Sequence, residues 1–391
     1  MTGLNNMVGK PSHWAAAVSM MIVSWGSAVV IIFQAAQALD ATEAQTASWL
    51  TIIALSSGVL SMALSWRYQT PIYIAWSTPG AAMIALTTDI ALSDAIGAMI
   101  FAGLLNVVLG VSGLFAWMVK HIPASIASAM LAGILIGFGT NVFVSMQTDL
   151  ILVALMLLAF LISKAYAPKY SLLWMLALGC VYAYCSGHFT VDAVQWQWPA
   201  LQWIDPTFNW QTIISLGIPL FLVTLSTQYI PGVAVLHAHG YRPPVSPIIG
   251  STGLATVLLA PFGLFMSNLA AISAAICMGN DVDERPEKRY QAVMIHGVLS
   301  LGLAAMGAMV VVVFGALPKA LLVTLAGMAI LGTLTDNLVT AMSDARVRDA
   351  AILTLLASAS GIQLFGISSA FWGLLIGMSV YHFNIRVALK K

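Results

Sequence analysis

The sequence predicts an all-α polytopic membrane protein with fourteen crossings, arranged as a 7+7 inverted repeat with half-helices in spans 3 and 10. Three observations predict it. Charge is scarce, with 15 Lys or Arg and 14 Asp or Glu among 391 residues, and mean hydropathy is +0.94. The charges cluster between charge-free runs at 11–39, 68–88, 95–119, 121–148, 170–191 and 290–318. A crossing takes about 20 helical residues, and each run supplies them. Finally, the basic residues alternate between loops as they do in proteins that obey the positive-inside rule.

Taken in order, the candidate spans are 14–38, 44–66, 70–88, 95–119, 123–146, 149–164, 170–190, 211–236, 289–316 and 319–337. Two longer neutral stretches, 243–280 and 350–385, have basic residues at both ends: Arg242 and Arg285, then Arg348 and Arg386. Ends on the same face require an even number of crossings, so each stretch reads as a hairpin of two short or re-entrant helices. With the N-terminus inside, fourteen of the 15 basic residues fall on the cytoplasmic side, and Lys319 alone falls outside. Asp40, Glu43, Asp89, Asp94, Asp149, Asp192 and Asp205 fall opposite. Both termini are therefore expected in the cytoplasm. Segment 192–210, with Trp196, Trp198, Trp203 and Trp210, becomes an external loop at the lipid headgroups.

A net charge of +1 argues against nucleic acid as a partner. Cys180, Cys185 and Cys277 lie in apolar runs without metal or disulfide spacing. No HExxH, Walker loop or Gly-x-Ser-x-Gly appears, so neither an enzyme nor a bound cofactor or metal is expected.

The inverted repeat is read from two matching segments. Pro123 precedes Leu131-Ala132-Gly133, Gly137 and Asn141; Pro318 precedes Leu325-Ala326-Gly327, Gly332 and Asn337. Seven spans separate them, an odd number, which inverts one half relative to the other.

Three segments carry the expected site. In span 3, Trp76-Ser77-Thr78-Pro79-Gly80 should be extended up to Thr78 and helical from Pro79, because proline lacks a donor and disfavours helix before it. In span 10, Ser267 or Asn268 is suited to cap a half-helix running from Leu269. Two half-helix N-termini meeting near the midplane make an anion site, with backbone N–H groups near Gly80 and Leu269. In span 8, Thr224 and Ser226-Thr227-Gln228-Tyr229 crowd polar groups ahead of Pro231-Gly232, which should break the helix. Gln34 in span 1 is a weaker candidate of the same kind, and Phe33, Trp76 or Tyr229 could stack on an aromatic ring. For proton coupling the candidates are Asp336, His237 and His296.

At these residues the chain resembles the benzoate transporter family, bacterial inner-membrane proteins described as benzoate–proton symporters. The likeness rests on Ile31–Ala36, Ala75–Ala82, Ala129–Gly133 and Ser226–Leu236, and it extends over essentially the whole chain. The family is distantly similar to nucleobase symporters and sulfate-type anion exchangers. That relationship implies a core domain of residues 1–120 (spans 1–4) and 211–316 (spans 8–11). It implies a gate domain of 121–191 (spans 5–7) and 317–391 (spans 12–14 and the tail), with 192–210 as external loop. A homodimer through the gate domain is compatible with it. In nucleobase symporters two glutamates hold the substrate's ring nitrogens; their positions fall on Gln228 and Ser267 here. Losing both carboxylates suits an anionic substrate, which a buried negative charge would repel.

The expected function is secondary active transport of a small aromatic carboxylate, benzoate first, in symport with protons across the bacterial inner membrane. The alternatives are a passive anion channel or exchanger, and a carrier of a neutral solute such as a nucleobase.

Overall fold

A computed structural model describes residues 10–388, apart from 88, 116, 119–122, 188–197 and 271. The first half runs α1 (Pro11–Ala38), α2 (Glu43–Tyr68), β1 (Ile74–Trp76), α3 (Thr78–Ala85), α4 (Leu92–Ser112), α5 (Ala124–Ser145), α6 (Leu150–Tyr166) and α7 (Ser171–Cys185). The second half begins with a long helix α8 (Trp210–Ala238), followed by α9 (Val245–Leu259), β2 (Ser267–Leu269) and the single turn α10 (Ile272–Ala275). It continues with α11 (Tyr290–Ala304), α12 (Gly307–Gly315), α13 (Lys319–Ala329), α14 (Leu331–Met342), α15 (Arg348–Ala359) and α16 (Ser369–Ala388). Among the described residues seven helices are long and apolar enough to cross a membrane, and an eighth forms if α11 and α12, bent by 61°, are one span. This is a multi-pass membrane protein. The neutral stretch 243–280 resolves into α9 and the β2–α10 segment, and 350–385 holds most of α15 and α16 with the connection between them.

Helix starts follow local chemistry. Thr42 and Gln45 form a reciprocal capping box ahead of α2, and Asp149 accepts from the Leu152 amide ahead of α6. Pro123 and Pro318 occupy the N-cap positions of α5 and α13. In both helices the glycine of the repeated segment meets a neighbour closely. A Cβ on Gly133 would lie 2.5 Å from the Leu355 carbonyl oxygen of α15, and one on Gly327 would lie 2.7 Å from the Phe138 carbonyl oxygen of α5.

Two sets of helices pack together. In one, α4 lies along α9, α2 along α11 and α12, and α1 against α3 and α11. In the other, α5 packs on α13, α14, α15 and α16, while α6 and α7 pair and rest on α13. The α4–α9 contact is close because a Cβ on Gly253 would approach the Val107 amide nitrogen to 2.7 Å.

At the centre of the first set, β1 and β2 pair antiparallel, with Ile74 opposite Leu269, Ala75 opposite Asn268 and Trp76 opposite Ser267. Extended backbone away from water needs partners for every N–H and C=O. The outer edge of β1 finds them on α2: Ser61 accepts from the Ile74 amide (2.8 Å), and Ser65 accepts from the Ile72 amide (3.0 Å). Ser57, Ser61 and Ser65 also donate to the Ile74 and Ile72 carbonyls. The outer edge of β2 is met by Thr256 Oγ1, which accepts from the Ser267 amide, and by the Tyr229 hydroxyl, which donates to the Ser267 carbonyl.

Two expectations change. Ser267-Asn268-Leu269 is a strand, and helix begins only at Ile272, so neither Ser267 nor Asn268 caps a half-helix. The pull of strand pairing with β1 outweighs local capping preference. Nor does Pro231-Gly232 break span 8: α8 continues to Ala238, and the turns at 213–217 and 225–229 widen to π geometry ahead of Pro219 and Pro231. A widened turn accommodates a residue that cannot donate, without ending the helix.

The segment after α7 is described from Trp198 onward; 192–197, with Trp196, lies outside the described residues. Trp198, Trp203 and Trp210 are exposed. The segment is tied down where the Thr207 amide donates to the Ser93 carbonyl and the Ile204 amide to the Pro261 carbonyl.

Candidate functional site

Span 3 turns from strand to helix at Ser77, whose hydroxyl accepts from the Gly80 amide (3.1 Å) and receives a hydrogen bond from Thr224 of α8 (3.0 Å). This cap fixes where α3 begins and leaves Ala75, Trp76, Thr78 and Pro79 facing a cavity of about 550 Å³. The volume lies in the usual range for a small-molecule site. Across from span 3, α8 contributes Ser226, Thr227, Gln228, Ile230 and Pro231; α1 contributes Val23 and Ser24. Ala270 and Ser273 come from the β2–α10 segment. The remaining wall belongs to the other helix set: Ala124 and Ser128 of α5, Ala329 of α13, and Gly332, Thr333, Asp336, Asn337 and Thr340 of α14.

The cavity therefore runs from mid-span, at Trp76 and Gln228, to the end of the molecule where α5 starts and α14 finishes. Its chemistry is mixed. The Trp76 ring packs against Trp25, with centroids 4.3 Å apart, and its Nε1–H is buried without a hydrogen-bond partner. Pro231 has no N–H, so one helical acceptor at Ser226–Thr227 goes without its donor at the wall. Among the described lining residues, Asp336 is the single ionisable side chain.

Of the site residues expected from sequence, Trp76, Thr78, Pro79, Gln228 and Asp336 come together here. The others do not line the cavity, each for a visible reason. The Gly80 amide is already taken by Ser77, and a Cβ on Gly80 would lie 2.5 Å from Leu220, so both residues stand one layer behind the wall. Phe33 is buried against Phe314, with centroids 6.1 Å apart, and Gln34 lies about three turns along α1 from Ser24. The Tyr229 hydroxyl is held by Thr252 (2.7 Å) and by the Ser267 carbonyl (3.1 Å), which makes it a support for β2. Ser267, Asn268 and Leu269 are buried in that strand; with its amide oriented to satisfy both neighbours, Asn268 accepts from Ser77 N and donates to the Leu269 carbonyl. His237 is exposed at the end of α8. His296 is buried on α11, edge-on to Tyr73 at 4.7 Å.

Sequence reasoning missed Ser24, Ser128, Ser273, Thr333, Asn337 and Thr340. For α14 the signal was present: Thr333, Asp336, Asn337 and Thr340 follow the i, i+3, i+4, i+7 spacing of one helix face. Such a stripe in an apolar helix must face protein or a cavity.

The family profile described as "Benzoate membrane transport protein" matches residues 8–383. The chain belongs to this benzoate transport family. It is a membrane transporter and not an enzyme. Among the family's relatives, the chain is 37% identical over 367 residues to the benzoate membrane transport protein of Acinetobacter baylyi, covering 94% of this chain and 93% of that one. It is 38% identical over 372 residues to the inner membrane protein YdcO of Escherichia coli, covering 95% of each. In fold it is similar to the transmembrane domain of a cyanobacterium bicarbonate transporter, BicA, with a TM-score of 0.56 at 16% identity, over 94% of this chain and 96% of that chain.

Outside the cavity lining, a charged cluster joins the start of α1 to the loop after α10. Asp283 is buried and bonded to Lys10 Nζ (2.9 Å) and His13 Nε2 (3.1 Å), and it accepts from the Arg285 amide. The Lys10 hydrogen bond, first among the causes, holds the Asp283 carboxyl well below the usual carboxylate range. Arg289 completes the knot by donating to the Asp283 and Met278 carbonyls, both at 2.7 Å.

Proposed function

We propose that this protein is a secondary active transporter of benzoate, or a closely similar aromatic carboxylate, in symport with protons across the bacterial inner membrane. The observation that carries the reading is the cavity, where the aromatic side chain of Trp76 faces the neutral donors of Gln228, Ser226, Thr227 and Thr78. A flat ring stacks on tryptophan, and a carboxylate takes N–H and O–H donors. The described lining residues include no cation, so such an anion can be released as well as bound. Family membership supports the same substrate.

The cavity opens at the end of the molecule that carries Lys10, Arg242 and Arg346, which the positive-inside rule places in the cytoplasm. The reading is thus of an inward-open carrier with fourteen crossings in two inverted sets of seven and both termini inside. Its cavity walls come from two helix sets, so sliding one set against the other would carry the bound anion to the opposite face.

Uptake of radiolabelled benzoate into proteoliposomes tests this. An acid-outside gradient should drive accumulation that saturates and that substituted benzoates, but not uracil, compete away. Linear, non-saturable flux would indicate a channel, and inhibition by uracil a nucleobase carrier. A cysteine at Asp205 should react with an impermeant reagent from the periplasm, whereas one at Ser343 should not.

A further inference from the structure

We propose that Asp336 is the group that carries the coupled proton, and that its charge makes benzoate and proton bind together. The inference deepens the transport reading above and rests on it. Asp336 is the single ionisable side chain among the described residues lining the cavity, and its carboxylate has no ion-pair or hydrogen-bond partner among the described residues. Its neighbours on the polar face of α14 are turned to the helix backbone: Thr340 donates to the Asp336 carbonyl (2.8 Å), and Asn337 donates to the Thr333 carbonyl (2.7 Å).

Among the described residues, no neighbouring element neutralises it. α14 packs on α5, which has no charged residue, and on α13, whose one charge, Lys319, stands at the far end of that helix. It also packs on α15, which carries Arg348 and Asp349 in its first turn; Arg348 is engaged with the Met342 carbonyl. In the loop between, Arg346 pairs with Asp344. Across the cavity the α8 wall ends at Pro231, and exposed His237 lies beyond it.

An ionised Asp336 and a benzoate anion would share a cavity of about 550 Å³. Asp336 is exposed to the water of the cavity, so two like charges that close repel only enough to weaken binding roughly tenfold. A proton on the Asp336 carboxylate removes the repulsion and adds an O–H donor for the substrate. The proton is taken up with benzoate on one side of the membrane and released to water when benzoate leaves on the other. The empty site then carries one negative charge on Asp336, and the loaded site carries one on benzoate. Both forms that cross have the same charge, so a pH gradient drives the cycle and membrane potential does not.

The test is proton uptake by purified protein in weakly buffered detergent with a pH-indicator dye, with benzoate binding followed by tryptophan fluorescence. Wild type should take up protons as benzoate binds, and its affinity should fall as pH rises through the range in which that uptake is seen. D336N should bind benzoate with no proton uptake and with a pH-independent affinity that exceeds wild type at alkaline pH; D336E should restore uptake. Binding by wild type without proton uptake would overturn the proposal while leaving the benzoate reading intact, as would uptake that persists in D336N. No benzoate binding by wild type at any pH would overturn both. Should D336N not survive purification, the stoichiometries of wild type and D336E decide.

Discussion

Ser61 of α2 closes a two-way hydrogen bond with Ile74 of β1, accepting from its amide at 2.8 Å and donating to its carbonyl at 3.1 Å. Ser57 and Ser65, one turn to either side, make the adjoining bonds to Ile74 and Ile72. Spacing of four residues puts all three hydroxyls on one helix face, a rail along the open edge of an extended segment. That rail permits non-helical backbone here, and the non-helical backbone in turn puts Trp76 and Thr78 at the cavity.

Ser61→Ala should therefore cost more than a surface serine does. It strands a buried N–H and weakens a carbonyl's bonding, at about 1–3 kcal/mol. The expected result is a lower thermal midpoint in detergent and weaker benzoate binding, partly rescued by Ser61→Thr, which keeps the hydroxyl. A midpoint equal to wild type would show that the strand edge is held without Ser61.

Trp76→Phe separates the ring from its donor. Nε1 has no partner in the protein, so replacing it gives up no hydrogen bond, and the thermal midpoint should fall only by the packing lost against Trp25. Benzoate affinity should nonetheless fall, by roughly 10- to 100-fold if Nε1–H donates to the carboxylate, as one charged hydrogen bond contributes about 1.5–3 kcal/mol. Unchanged affinity with the phenylalanine in place would mean that the ring face, and not its N–H, meets the ligand.

How much of this was legible depends on which physical signal each feature leaves. Scarce charges marked a multi-pass membrane protein, and Pro79 with Gly80 marked the strand-to-helix turn, because those two residues constrain backbone directly. The β1–β2 pair left no such mark: Ser267-Asn268 reads equally as a cap, and only the partner strand decides. Ser57, Ser61 and Ser65 resemble ordinary small packing residues until the segment they serve is known. Phe33 and Tyr229 have the ring chemistry for a stacking wall, but a sequence does not say which face of a helix meets a cavity. The stripe from Thr333 to Thr340 was readable, since its period is the helix's own.

Acid should loosen the knot at Asp283. Its carboxyl is held below its ordinary value, so its contribution to stability is fully present above an unfolded value of about 3.9 and is lost as pH falls below that. Asp283→Asn should lower the thermal midpoint at pH 7, the loss of a charged hydrogen bond being about 1.5–3 kcal/mol. The gap between the two proteins should close as pH drops below about 4. A gap that stays constant down to pH 3 would mean that Asp283 acts through shape and not charge.

Gln228 offers the sharpest choice between substrate classes, because it lines the cavity as a neutral donor. For a carboxylate ligand, Gln228→Ala removes one hydrogen bond to a charged group, about 1.5–3 kcal/mol. Gln228→Glu does more harm, since it removes the donor and adds a negative charge to a wall that already holds Asp336. Benzoate affinity of the glutamate variant should fall below that of the alanine variant at pH 8 and recover as the pH is lowered and the new side chain takes up a proton. The alanine variant has no such added group, so the ratio of the two affinities, measured from pH 8 to pH 5, isolates the charge at position 228. A constant ratio would place Gln228 out of reach of the anion. Uracil binding gained by Gln228→Glu would show the opposite, that this wall position faces the ligand and that its neutrality selects for a carboxylate.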